Sequence, residues 1–142
     1  MVVSSRRGFQ WVLTLLTLFV LVTGVLEMVV GPSLLPGDPE VSTTVDSNYR
    51  FFAGIWCALG LVLAVASRRP EDHAAAVWAA FGAVFLGGIA RGVSYLDVGA
   101  PHPVHTAFIG VELLLPPMML LWYTRVRRTA PVRPLRAGGE RL

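Results

Sequence analysis

The stretch Val45-Asp46-Ser47-Asn48-Tyr49-Arg50-Phe51-Phe52-Ala53-Gly54-Ile55-Trp56 decides the reading of this chain. It begins as a polar helix cap and runs without a break into an apolar helix. Asp46 or Ser47 is placed to accept hydrogen bonds from the free N–H groups of a first turn. One charge, Arg50, is carried past the cap into the apolar part. The apolar residues then continue to Ala66, and Ser67-Arg68-Arg69-Pro70 ends the run. At 1.5 Å per residue a segment of this length matches a bilayer core of roughly 30 Å.

Outward from that stretch, three more runs of the same kind predict helices at about 8–30, 73–96 and 104–123, beside the one at about 48–66. Residues 1–7 read as a short N-terminal start, and 8–123 as one four-helix transmembrane domain. Residues 124–142 read as an Arg-rich tail with too little apolar content to fold alone, so disorder is expected there. The composition agrees: 54% of residues are hydrophobic and only 15% charged, where soluble domains sit near a quarter charged. The first run is too long for the apolar part of a signal peptide, and no small-residue cleavage site ends it, so it reads as a retained helix. Gly31-Pro32, Pro36-Gly37 and Asp38-Pro39 break the chain into a loop from Gly31 to Asp46.

The net charge is +3, but its placement argues against nucleic acid as a partner. All twelve basic residues are arginines, and ten of them flank apolar runs. They lie before the first helix, between the second and third, and after the fourth, which is the distribution of topology signals. It predicts an all-α membrane protein, an up-down four-transmembrane-helix bundle with N and C termini cytoplasmic. The lipid bilayer is then the first partner, and the cell membrane the location. Cys57 cannot form an internal disulfide and has no neighbouring base, so it reads as a packing residue. His102 and His105 lack a cysteine or close acid to complete a metal site, and no cofactor motif is present.

Four charges remain inside the apolar runs: Glu27, Arg50, Arg91 and Glu112, one per helix. An ionised group at helix centre costs about 2.5–3.5 kcal/mol on insertion scales. Counted from the loops, all four belong to the outer half of the bilayer and can meet there. The stripes Thr17, Gly24 and Glu27 on the first helix, Arg50, Gly54, Cys57 and Ala58 on the second, and Ala76, Ala80, Ala83, Gly87, Arg91 and Ser94 on the third predict close packing with the charges turned inward. His105 shares a face with Glu112. Pro116 and Pro117 remove N–H donors from the fourth helix and predict a kink. Asp46, four residues before Arg50, suits a cap and a surface pair.

The segments Val45–Trp56, Phe85–Arg91, Gly99-Ala100-Pro101, and Glu112 with Pro116-Pro117 resemble the DUF4345 family of small bacterial membrane proteins. The likeness spans about residues 8–123. It implies four transmembrane helices and motif positions at Asp46, Asn48, Arg50, Gly54, Gly88, Arg91, Pro101 and Glu112; it carries no established activity. Glu27 lies outside the stretches that bear the resemblance. The leading expectation is a module that binds or moves a small amphipathic or anionic molecule, with Arg50 and Arg91 on its acidic group and Glu112 balancing charge. The alternatives are a structural or accessory protein whose charges only fix helix packing, and a membrane enzyme on a lipid-like substrate using Glu112 and His105. No motif singles out a catalytic residue.

Overall fold

Each apolar run folds as one helix, because a chain in lipid must satisfy its backbone groups within the segment. The structure, a computed structural model, describes residues 2–37 and 39–128. Its helices are α1 (Val2–Val30), α2 (Thr43–Arg68), α3 (Ala74–Val98) and α4 (Pro103–Arg128), with a short 3-10 turn at Pro32–Leu34. All four are long and apolar enough to cross a membrane, and the chain is a multi-pass membrane protein.

Several helix ends differ from the sequence reading. α2 begins five residues early, and its cap is Ser42, whose Oγ accepts from Val45 N at 3.4 Å. Asp46 and Ser47 are therefore not the cap. Asp46 lies inside the first turn, where a carboxylate also meets the positive end of the helix dipole. α1 extends back to Val2, so Arg6 and Arg7 are helical. α4 runs through Pro116 and Pro117 and on to Arg128; residues 124–128, expected as the start of a tail, are helical. The rest of that tail, 129–142, lies outside the described residues.

Contacts between the helices fix their directions. Gln10 Nε2 on α1 donates to the carbonyl of Arg68 at the end of α2 (2.8 Å), while Trp56 Nε1 donates to Thr23 Oγ1 (3.0 Å). Arg91 on α3 meets Glu112 on α4, and Tyr95 shares a cavity wall with Thr106. Phe9 near the start of α1 stacks on Tyr123 near the end of α4, with centroids 5.5 Å apart. Both hairpins, and α1 with α4, are thus antiparallel.

Burial is uneven along the bundle. The shared core of Phe9, Leu13, Leu63, Val77, Phe81 and Tyr123 draws on all four helices, and every member lies toward the end that carries Arg6, Arg68 and Arg125. Toward the opposite end, close packing is within a hairpin. A Cβ on Gly24 would fall 2.7 Å from Cys57 Sγ and 3.1 Å from Cys57 N, and one on Gly88 would fall 2.9 Å from Glu112 Cβ. Glycine at these points lets the two helices of each pair approach. The α1–α2 and α3–α4 hairpins are therefore joined at the arginine-rich end and leave a cavity, instead of a core, near the other.

Polar bonds tighten the arginine-rich end. Tyr123 Oη donates to the carbonyl of Pro70 at 2.6 Å, and Trp122 Nε1 donates to Ser5 Oγ at 3.0 Å. Arg6 pairs with Glu71 in the turn between α2 and α3. Partial burial alone would raise the Glu71 carboxyl; the Arg6 hydrogen bond and the charges of Arg6 and Arg69 outweigh it and hold that carboxyl below its ordinary range. A depressed folded value means the pair stabilises fully above the ordinary carboxyl value of 4.5 and loses its contribution as pH falls through the folded value. Comparing thermal unfolding of Glu71→Gln with the parent should give a constant deficit near neutral pH, worth about 1 kcal/mol at most for a partly exposed pair. The deficit should vanish in acid; a deficit that grew on acidification would contradict this assignment.

Candidate functional site

Arg50 is the first cation on α2, and the structure gives all of its donors an acceptor. Nε donates to Asp46 Oδ2 (2.9 Å) and Nη2 to Asp46 Oδ1 (3.2 Å). Nη1 donates to the carbonyls of Met28 (2.9 Å) and Val29 (2.8 Å), and Nη2 to that of Val30 (3.3 Å). A guanidinium has five N–H donors, so none remains for a ligand. The carbonyls are the last of α1, which lack intrahelical partners and sit at the negative end of its dipole. Arg50 therefore terminates α1 and ties it to the start of α2. The expectation that Arg50 meets Glu27, Arg91 and Glu112 inside the bundle is corrected: the unpaired carbonyls of α1 hold it on the α1–α2 hairpin.

Gly31 completes this junction. Its φ of 82° and ψ of −157° lie in a region that is essentially restricted to glycine. A Cβ there would also run into the Arg50 guanidinium.

The second cluster is on the other hairpin. Arg91 Nε lies 3.0 Å from Glu112 Oε2, as an ion pair whose N–H is not aligned for a hydrogen bond. Arg91 Nη1 lies 3.2 Å from His105 Nδ1. Arginine keeps its protons, so Nη1 donates and Nδ1 accepts. The imidazole proton is then on Nε2, and His105 is neutral in this arrangement. Gly88, one turn before Arg91, lets α3 close on Glu112. Arg91 is 44% exposed, so its expected burial within the bundle interior is corrected, while Glu112 is 18% exposed and its Oε2 is buried. They stand where the hairpins no longer share a core.

Glu27 on α1 is half-buried and accepts no side-chain hydrogen bond or ion pair among the described residues. Arg91 is near enough for its charge to act on it. Glu27 lines a cavity of about 240 Å³ with Thr23, Tyr49, His105 and Phe108, closed on one side by Leu34, Leu35 and Pro36 of the loop after α1. The walls thus come from α1, α2, α4 and that loop. Asn48 is exposed and points to no partner among the described residues.

Tyr49 and Phe108 were not singled out from the sequence. Tyr49 is the neighbour of Arg50, and on a helix the next residue faces about 100° away; that rotation carries it from the α1 junction to the cavity. Phe108 is three residues after His105 and meets it edge-on, with centroids 6.0 Å apart. The i, i+3 spacing was the available signal. A second cavity, of about 370 Å³ between α3 and α4, is lined by Gly92, Tyr95, Leu96, Thr106, Ile109 and Gly110 and carries no charge.

Fold and site together define a class: a four-helix membrane protein of two hairpins, packed together at one end and holding a largely apolar cavity with a few polar side chains near the other. The chain belongs to DUF4345, a domain of unknown function, which matches residues 8–123. No curated protein and no solved structure matches it.

Proposed function

We propose that this protein binds, and presents to or from the bilayer, a small amphipathic molecule at the cavity between its hairpins. The observation that supports it most is the cavity itself, where an unpaired carboxylate and two aromatic rings share a largely apolar wall. Ligand sites are mostly apolar concavities with a few placed polar groups. Ionisable residues within membrane spans mark such paths by default. Arg91, paired with Glu112, stands behind the wall and orients His105 within it.

The topology belongs to the same reading. The arginines of the N-terminal segment, the α2–α3 turn and the end of α4 cluster at one end, so both termini lie in the cytoplasm and the cavity opens in the outer half of the membrane. The version with an anionic ligand needed Arg50 as a second cation. With its donors taken by Asp46 and α1, Arg50 supports a structural role, and the amphipathic version is the one retained.

Native mass spectrometry of the detergent-extracted chain tests this. The wild type should carry a small-molecule adduct that Arg91→Gln loses or weakens while keeping its helical content. Arg50→Gln should unfold at a lower temperature, because α1 loses its termination, yet keep the adduct. A wild type with no adduct under gentle extraction, or an Arg50 variant that loses the adduct while Arg91→Gln keeps it, would overturn the assignment.

A further inference from the structure

The wall of the 240 Å³ cavity contains one formally charged side chain, Glu27. Its other polar members are Thr23, Tyr49 and His105. Thr23 already accepts from Trp56 Nε1 and donates back to the carbonyl of Phe19. His105 is neutral, because its Nδ1 accepts from Arg91. Arg91 itself is turned to Glu112 and His105 and is not part of the wall. Arg91 acts on Glu27 only at a distance; no cation lines the cavity, and the Glu27 carboxylate has no hydrogen-bond donor among the described residues.

An ionised carboxylate in an apolar wall is costly unless a positive charge meets it, and without one the group takes up a proton. The cavity has two further features that suit a cation. Tyr49 and Phe108 bring aromatic rings to the same space, and ring faces attract ammonium groups. Leu26, Leu34, Leu35 and Val104 supply apolar lining for carbon next to the charge. The volume is below the usual 300–1,000 Å³ of drug-sized sites, so it suits a head group with the first part of a chain, not a whole lipid.

We infer that this cavity receives the cationic ammonium head of an amphipathic amine, with Glu27 as its counter-ion and Tyr49 and Phe108 against its flanks. The inference rests on the proposed binding function and names the ligand class of that site. The ammonium could belong to a free amphipathic amine or to a choline-type lipid head group; the recognising chemistry is the same.

The test titrates decyltrimethylammonium, decyl sulfate and decanol, three ten-carbon chains with different heads, into the full chain in maltoside micelles and follows heat or native mass. The ammonium should bind saturably and more tightly than the other two. Glu27→Gln should weaken it by about tenfold or more, a single lost charge contact, and leave decanol unchanged. Should Glu27→Gln fail to fold, Tyr49→Leu and Phe108→Leu keep the lining apolar, and each should weaken the ammonium several-fold. Adding short-chain phosphatidylcholine separates the sources: displacement of the probe assigns a lipid head group, and no displacement a free amine. Decyl sulfate binding as tightly as the ammonium, or variants that leave ammonium affinity unchanged, would overturn the cation assignment while leaving a binding cavity. Saturation by none of the three would remove the binding function as well.

Discussion

Tyr123→Ala is expected to cost about 3–5 kcal/mol of stability, the range for deleting a buried aromatic ring, and to loosen the two hairpins from each other. Tyr123 is fully buried. Its ring stacks on Phe9 with an interplanar angle of 24°, joining α4 to α1. Its hydroxyl donates to Pro70 in the α2–α3 turn at 2.6 Å. One side chain thus links the two hairpins and the turn between them. In lipid the loss comes from van der Waals contacts and from an emptied space, since tails are as apolar as the ring. Tyr123→Phe keeps the ring and removes one of two donors from the Pro70 carbonyl, which still accepts from His73 N at 3.3 Å, so it should cost about 0.5–1.5 kcal/mol. Thermal or denaturant unfolding in detergent measures both. If alanine costs no more than phenylalanine, the ring packing is not what holds the hairpins together.

The helix count and the loops were legible because apolar length and Gly-Pro breakers carry direct physical meaning in a membrane chain. Depth along each helix could be counted from the loops, which is why Glu27, Arg91, Glu112 and His105 are assigned to one end. The rotation of each helix was less legible. In water the polar face of a helix marks its outside; in lipid the outside is apolar too, so the contrast disappears. On α2 and α3 the packed glycines are Gly60 and Gly88, where a Cβ would fall 2.7 Å from Leu21 Cδ2 and 2.9 Å from Glu112 Cβ, while Gly54 and Gly87, assigned to the inward stripes, have nothing within 4 Å. On α1 the stripe of Thr17 and Gly24 is buried.

The role of Arg50 was hidden for a different reason. Its acceptors on α1 are backbone carbonyls, which every sequence has, and only the position of a helix end makes them available. Asp46 at i−4 was readable as a partner, but one salt bridge uses two donors, and the other three could be placed only with α1 in view. The cap moved for a related reason. Ser42 and Asp46 both carry acceptors suited to a helix start, and the chain uses the earlier one, so Thr43, Thr44 and Val45 join the helix.

Gly88 offers the sharpest test of the α3–α4 hairpin, because its neighbour is a control. Gly88→Leu should cost about 1–3 kcal/mol or more through overpacking. Its Cβ would meet Glu112 Cβ at 2.9 Å and the Glu112 carbonyl carbon at 3.2 Å, and backbone cannot turn aside as a flexible side chain can. The two helices must separate where Arg91 reaches Glu112 and His105. With that reach lengthened, His105 loses the donor that holds its tautomer and orientation in the cavity wall, and ammonium binding should fall along with stability. Gly87→Leu sits one residue away with open space around it. In lipid a leucine there meets tails, and its effect should stay within about 0.5 kcal/mol, with binding unchanged. Thermal unfolding and the ammonium titration on both variants decide the matter. Equal losses at both positions would mean that α3 turns a different face to α4, and the pairing of Arg91 with Glu112 would fall with it.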